Sequence, residues 1–141
     1  MQAAVGEALG GDRVRGGERL RACWAATTEQ DRAQRCVLAH YLADLADDLD
    51  AEVGWDERAL VEFAGVRDVD LAPVGLDSAA GMTASLRLNL GDGYLRQGRV
   101  ADARTQLEAG LAALDALPDD GYGALVRRGL AGLQQRLAER A

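Results

Sequence analysis

Cys36, His40 and Asp44 stand at i, i+4 and i+8, so a helix through them carries a thiol, an imidazole and a carboxylate along one face. Two chemistries follow from that row. A thiol beside an imidazole can form a nucleophile pair, and a Cys and a His in successive turns can share a metal, with Cys23 as a third ligand. Neither is completed by the rest of the sequence. Structural zinc takes four Cys or His ligands at short spacings, and this chain has two Cys and one His. A nucleophile pair would have to use His40, and no strained nucleophile turn or oxyanion-hole signature accompanies it. The acids Asp44, Asp47, Asp48, Asp50 and Glu52 read as a solvated helical corner. Gly91 and Gly93 follow no strand and precede no Lys, which excludes a phosphate loop. The expectation is a non-enzymatic chain with no catalytic residue, no cofactor and no metal.

The elements that position these groups are helices. From Ser85 to Leu114, Leu86, Leu90, Tyr94 and Leu95 recur at helical spacing until Gly98. Val100, Ala103, Leu107, Gly110, Leu111 and Leu114 then mark a second helix. Two helices approach closely only where a side chain is nearly absent, so Gly91 and Ala103 are expected at the crossing, flanked by Leu90, Tyr94 and Leu107. Leu90-Gly91-x-x-Tyr94, the turn at Gly98 and the small Ala103 followed by Leu107 and Leu111 resemble the tetratricopeptide repeat (TPR) family. Similar intervals recur upstream. Gly11, Gly16 and Leu20 are spaced like Gly98, Ala103 and Leu107, and Ala46, Ala51 and Trp55 follow 35 residues after the first set. The resemblance implies an all-α fold, a short right-handed solenoid of three TPR-like hairpins plus a C-terminal capping helix.

Taken in order, the units of a single domain 1–141 are expected at about 1–27, 29–64 and 78–116. The glycine-rich stretch 10–17 weakens the first unit. Thr28 with Asp31 makes an imperfect capping box for a helix from Glu29 to Leu45. The returning helix, Leu49 to Ala64, turns Ala51, Trp55, Ala59 and Phe63 inward, so Trp24 and Trp55 are read as core, with an interface aromatic as the alternative. Ala46 to Gly98 spans 52 residues, more than one repeat, and the excess falls in a loop at 65–77 containing Pro73. That loop either packs on its own repeat or lies over the groove as a flap. The last helix, within 119–140, carries a stripe of Tyr122, Leu125, Val126, Leu130, Leu133 and Leu137. It reads as a cap, the alternative being a seam between two chains.

In the TPR family partner contacts lie on the leading helix of each unit. The resemblance places them at Cys36, Val37, His40, Ala43 and Asp44, and at Ser85, Leu88, Asn89, Asp92, Leu95 and Arg96. The implied groove has Leu88 and Leu95 as its floor and His40, Asp44, Ser85, Asn89, Asp92 and Arg96 as polar handles. It implies a scaffold or adaptor for a peptide or protein. Asn89 matches a position used by family members that clamp a terminal carboxylate, although the basic residues of such clamps are mostly missing. A metabolite binder with 65–77 as its lid and a self-associating subunit are the alternatives.

Composition narrows the partner. The 23 acidic residues outnumber the 16 basic ones, giving a net charge of −7, and the interleaved arginines form no concentrated basic surface for nucleic acid. All the basic residues are Arg, the coding bias expected of a GC-rich bacterial genome. No apolar run reaches membrane-span length, the start of the chain lacks the pattern of a secretory signal, and the two cysteines are expected reduced. The expected compartment is the cytoplasm.

Overall fold

The computed structural model describes residues 12–71 and 79–140, and among them every regular element is helical. The chain divides into two compact units, Met1–Leu76 and Asp77–Ala141. Of the first expected unit, about 1–27, residues 1–11 lie outside the described residues.

In the first unit, α1 (Arg13–Ala26) starts on Asp12, whose carboxylate accepts from the Arg15 N–H at 3.1 Å. It stops at Thr27, whose N–H and hydroxyl both donate to the Trp24 carbonyl. Helix α2 (Arg32–Asp44) begins three residues after the expected Glu29. The reason is a local turn. Asp31 accepts from the Thr28 N–H at 2.8 Å and the Thr28 hydroxyl at 3.3 Å, the reach-back half of a capping box, but its own N–H bonds the Thr28 carbonyl at 3.0 Å and closes a turn ahead of the helix. Helix α3 (Leu49–Phe63) is capped by Asp48, which accepts from the Ala51 N–H at 2.8 Å, with Asp50 and Glu52 at the positive end of its dipole. Leu20, Leu38 and Leu42 form the centre of this unit, with Cys23, Trp24, Tyr41, Leu45 and Trp55 packed around them. Gly16 and Gly17 are buried inside α1. The expected loop contains a single helical turn, α4 (Asp68–Leu71), whose Leu71 is fully buried. Its residues 72–77, with Pro73, Val74 and Leu76, lie outside the described residues.

In the second unit, α5 (Ala79–Arg96) and α6 (Val100–Ala112) form a hairpin. Gly98, at φ +80°, closes it: the Gly98 N–H donates to the Leu95 carbonyl at 2.9 Å and the Arg99 N–H to the Tyr94 carbonyl at 2.8 Å. This paired bonding is the Schellman stop, which needs a left-handed residue where glycine stands. Ala103 is completely buried, and a methyl on Gly91 would lie 3.5 Å from the Ala103 carbonyl, as the expected crossing requires. A 3-10 turn (Leu114–Ala116) leads to α7 (Gly121–Glu139), capped by Asp120.

Helix α7 packs on both α5 and α6. Close approach is arranged by three glycines. A methyl on Gly91 would meet Leu133 at 2.8 Å, one on Gly110 would meet Leu130 at 2.8 Å, and one on Gly129 would collide with Leu88. The expected stripe of α7 is thereby divided. Val126, Leu130, Leu133 and Leu137 are buried, while Tyr122 and Leu125 are 45% and 60% exposed.

The two hairpins are built alike, with one offset. Shifting by 52 residues superposes Leu38, Ala39, Leu42 and Ala43 of α2 on Leu90, Gly91, Tyr94 and Leu95 of α5, buried at every position. The connection after α2 runs from 45 to 48 and that after α5 from 97 to 99, so the first is one residue longer. Beyond the turn the matching shift is therefore 51, which pairs Asp56 and Ala59 with the buried Leu107 and Gly110. One residue is about 100° of helix rotation. Ala51 and Trp55, expected at the crossing, are accordingly swung off it: Ala51 is exposed and Trp55 half-buried, while Val53, Asp56, Ala59 and Glu62 face inward.

Candidate functional site

Cys36 and His40 lie on α2 one turn apart, and Asp44 ends the same helix. Cys36 is wholly buried, and its thiol is pushed up to about 12, first by burial and then by the negative charge of Glu62. It is a protonated core side chain at neutral pH, which removes its value as a nucleophile. Burial lowers the His40 imidazole below its ordinary 6.5, and Asp44 partly offsets this. Its ring lies 5.6 Å from that of Tyr41. Among the described residues no group of three or more His, Cys, Asp or Glu is arranged to hold a metal.

The expected groove residues of α5 have mixed placements. Ser85, Leu88 and Asn89 are half-buried and Arg96 is exposed, but Leu95 is only 3% exposed and offers no floor. Leu88 packs on α7 at Gly129. Asp92 is held from two sides, by Arg96 at 2.9 Å along its own helix and by Arg136 of α7 at 2.7 Å. In the first unit Val37 and Ala43 are buried, leaving His40 and the exposed Asp44.

A different constellation, not singled out by the sequence patterns, forms where α1, α2 and α3 contribute to the first unit. The rings of Trp24 and Trp55 meet edge to face, 5.1 Å between centroids and 81° between planes. The Arg35 guanidinium lies over Trp24 at 4.4 Å and that of Arg58 at 5.5 Å. Glu62, one turn beyond Arg58, places a single oxygen 3.2 Å from the Nε of Arg58 and 3.4 Å from the Nε of Arg35. The Glu62 side chain is 7% exposed and that of Arg35 11%, whereas that of Arg58 is 46% exposed. The Arg35 Nε is buried and makes no hydrogen bond, so its contact with Glu62 is ionic only. Trp24, Arg35, Ala51, Gly54, Trp55 and Arg58 line an open cavity of about 470 Å³. Ala51, exposed, and Trp55, half-buried, lie off the hairpin seam and line this cavity.

Arg35 has a counterpart. At the shift of 52 it matches Arg87 of α5, whose Nη1 donates to Gln106 of α6 at 2.9 Å and whose Nε is likewise buried without a hydrogen bond. An arginine reaching across its hairpin from the same position is thus a repeated feature, although the sequence intervals alone did not bring it out.

The fold and this geometry define an all-helical protein of two similarly built hairpins, one bearing an arginine-tryptophan cavity and the other closed by a terminal helix. Compared with protein-family models, curated proteins and solved structures, the chain gives no significant match.

Proposed function

We propose that the chain is a non-enzymatic adaptor, a TPR-like solenoid of helical hairpins that holds a segment of a peptide or protein partner on its leading helices. The observation that carries this reading is the repeated construction of the hairpins. Four of the seven buried positions of α2 coincide with buried positions of α5 at one shift, and Arg35 and Arg87 stand at the same place in each. A hairpin that recurs along a chain offers the same leading-helix positions in each unit, and helical repeats use such positions to hold peptide segments. The contact residues are the polar ones left accessible, His40 and Asp44 on α2 and Ser85, Asn89 and Arg96 on α5. Arg96 is bound to Asp92, but an exposed pair contributes only ~0–1 kcal/mol and exchanges readily for a partner's carboxylate. The buried state of Cys36 supports the non-enzymatic reading.

Self-association through the α7 stripe is the weaker reading, since four of its six apolar residues are already buried. Quantitative affinity capture with the wild-type chain and with Asn89→Ala/Arg96→Ala tests the proposal. The double variant is expected to keep its helical circular dichroism and to lose about tenfold in partner recovery. The same partners at the same yield would refute the assigned surface.

A further inference from the structure

We infer that the cavity between Trp24, Trp55, Arg35 and Arg58 is a binding site for a carboxylate carried on a flat apolar body, a site separate from the leading-helix surface proposed above. Three observations lead there. First, the charges do not cancel: two guanidinium groups share one carboxylate, Glu62, leaving a single positive charge beside the cavity. Second, that charge is available. Glu62 engages Arg58 at Nε, so the two terminal nitrogens of Arg58, on a side chain 46% exposed, remain a fork for a planar anion. Third, the walls are two indoles locked edge to face, which offer apolar surface beside the fork. A monoanion matches one residual positive charge, and a flat apolar body matches the indoles. These features select a carboxylate over a phosphate dianion.

The cavity floor supplies a clean control. A methyl at Gly54, which lines the cavity, would meet nothing within 4 Å, so Gly54→Leu grows a side chain into the cavity from an exposed helix position with no backbone clash at its base. Leucine also favours a helix over glycine, so this variant is expected to be at least as stable as the wild type. Arg58→Gln removes the exposed fork and leaves the Arg35–Glu62 pair in place.

Trp24 and Trp55 are the only tryptophans, so two indole N–H resonances report on the cavity alone. The probes are N-acetylphenylalanine, its amide, phenyl phosphate and the peptide N-acetyl-Ala-Ala-Phe with a free carboxylate, each titrated into the full chain. N-acetylphenylalanine is expected to shift both resonances saturably and to bind about tenfold more tightly than the amide, as befits a charged hydrogen bond. Arg58→Gln should remove that preference, and Gly54→Leu should abolish saturation with the fold intact. A tripeptide binding tenfold more tightly than the amino acid assigns the carboxylate to a peptide end, and equal affinities assign it to a small free acid. Equal binding of acid and amide, tighter binding of phenyl phosphate, saturation retained in Gly54→Leu, or no saturable shift with any probe would each overturn the inference. Failure of the Asn89/Arg96 capture experiment would leave these titrations unaffected, so the two proposals fail separately.

Discussion

Glu62→Gln isolates one charge with almost no change of shape. The glutamine keeps an oxygen where Glu62 now faces both arginines, so the packing around Arg35 and Arg58 is preserved while the compensating negative charge is lost. Breaking a buried ion pair costs ~3–5 kcal/mol because the remaining charge is stranded away from water. Here the figure is reduced, since Arg35 is 11% exposed and retains the face of Trp24 at 4.4 Å. The expected loss is ~2–3 kcal/mol. The Arg58 half of the cluster is different in kind: with that side chain 46% exposed, Arg58→Gln should cost under ~1 kcal/mol. The assay is urea unfolding followed by tryptophan fluorescence, which reports on the first unit because both tryptophans lie in it. With a slope of ~1.5 kcal/mol/M, Glu62→Gln should lower the midpoint by ~1.3–2 M and Arg58→Gln by well under 1 M. Arg35→Met/Glu62→Leu should return to within ~1 kcal/mol of the wild type, because an apolar pair of similar volume leaves no stranded charge. A Glu62→Gln midpoint no lower than that of Arg58→Gln would refute the claim that this carboxylate neutralises a buried cation.

Two further predictions rest on other parts of the chain. His40 has a lowered folded pKa, so the unfolded chain binds the extra proton first, and this contribution to stability is present above pH 6.5 and is lost as pH falls below it. Cys36 has a raised one, so its contribution is present below the unfolded value of 9.0 and is lost as pH rises from there towards about 12. Denaturation midpoints measured across pH should therefore slope at both ends, with His40→Gln flattening the acid shoulder just below 6.5 and Cys36→Ala the alkaline one. Gly98→Ala should cost ~1–2 kcal/mol and Gly98→Asn less, since no atom crowds the site and the whole penalty comes from the +80° backbone; equal costs in thermal melts would refute that account.

The helices were legible in the sequence because apolar residues at Leu90, Tyr94, Ala103 and Leu107 repeat at 3.6-residue spacing, and that periodicity is what burial imposes. The turn at Gly98 was legible because its left-handed backbone favours glycine. The rotation of α3 was not. Its register depends on the connection after α2 having one residue more than that after α5, and intervals measured across the turn from Ala46 to Ala51 and Trp55 conceal that difference. The arginine-tryptophan cavity was hidden as well. Its members come from α1, α2 and α3, and no local pattern links Trp24 to Glu62. What pointed to it was weaker: Trp55, Arg58 and Glu62 at i, i+3 and i+7 form one face of α3, opposite an arginine on α2. The start of α2 was misplaced because Thr28 and Asp31 make the reach-back bond of a capping box, while the Asp31 N–H closes a turn on the Thr28 carbonyl and the helix begins only after it.

The placement of glycines bears on which surfaces are left for a partner. Gly91 serves two contacts at once, admitting α6 at Ala103 and α7 at Leu133, while Gly110 and Gly129 hold α7 against the same hairpin. Leu88 is among the side chains packed in this seam, against Gly129, so the apolar floor expected on α5 is closed by the fold itself. Asp92 is drawn into the same closure through Arg136. In the proposed adaptor, the accessible groups of this unit are polar, Ser85, Asn89 and Arg96, so affinity there would come from hydrogen bonds and charge. The first unit carries different groups, two aromatic walls and a half-exposed guanidinium around one open cavity, where apolar contact and charge act together.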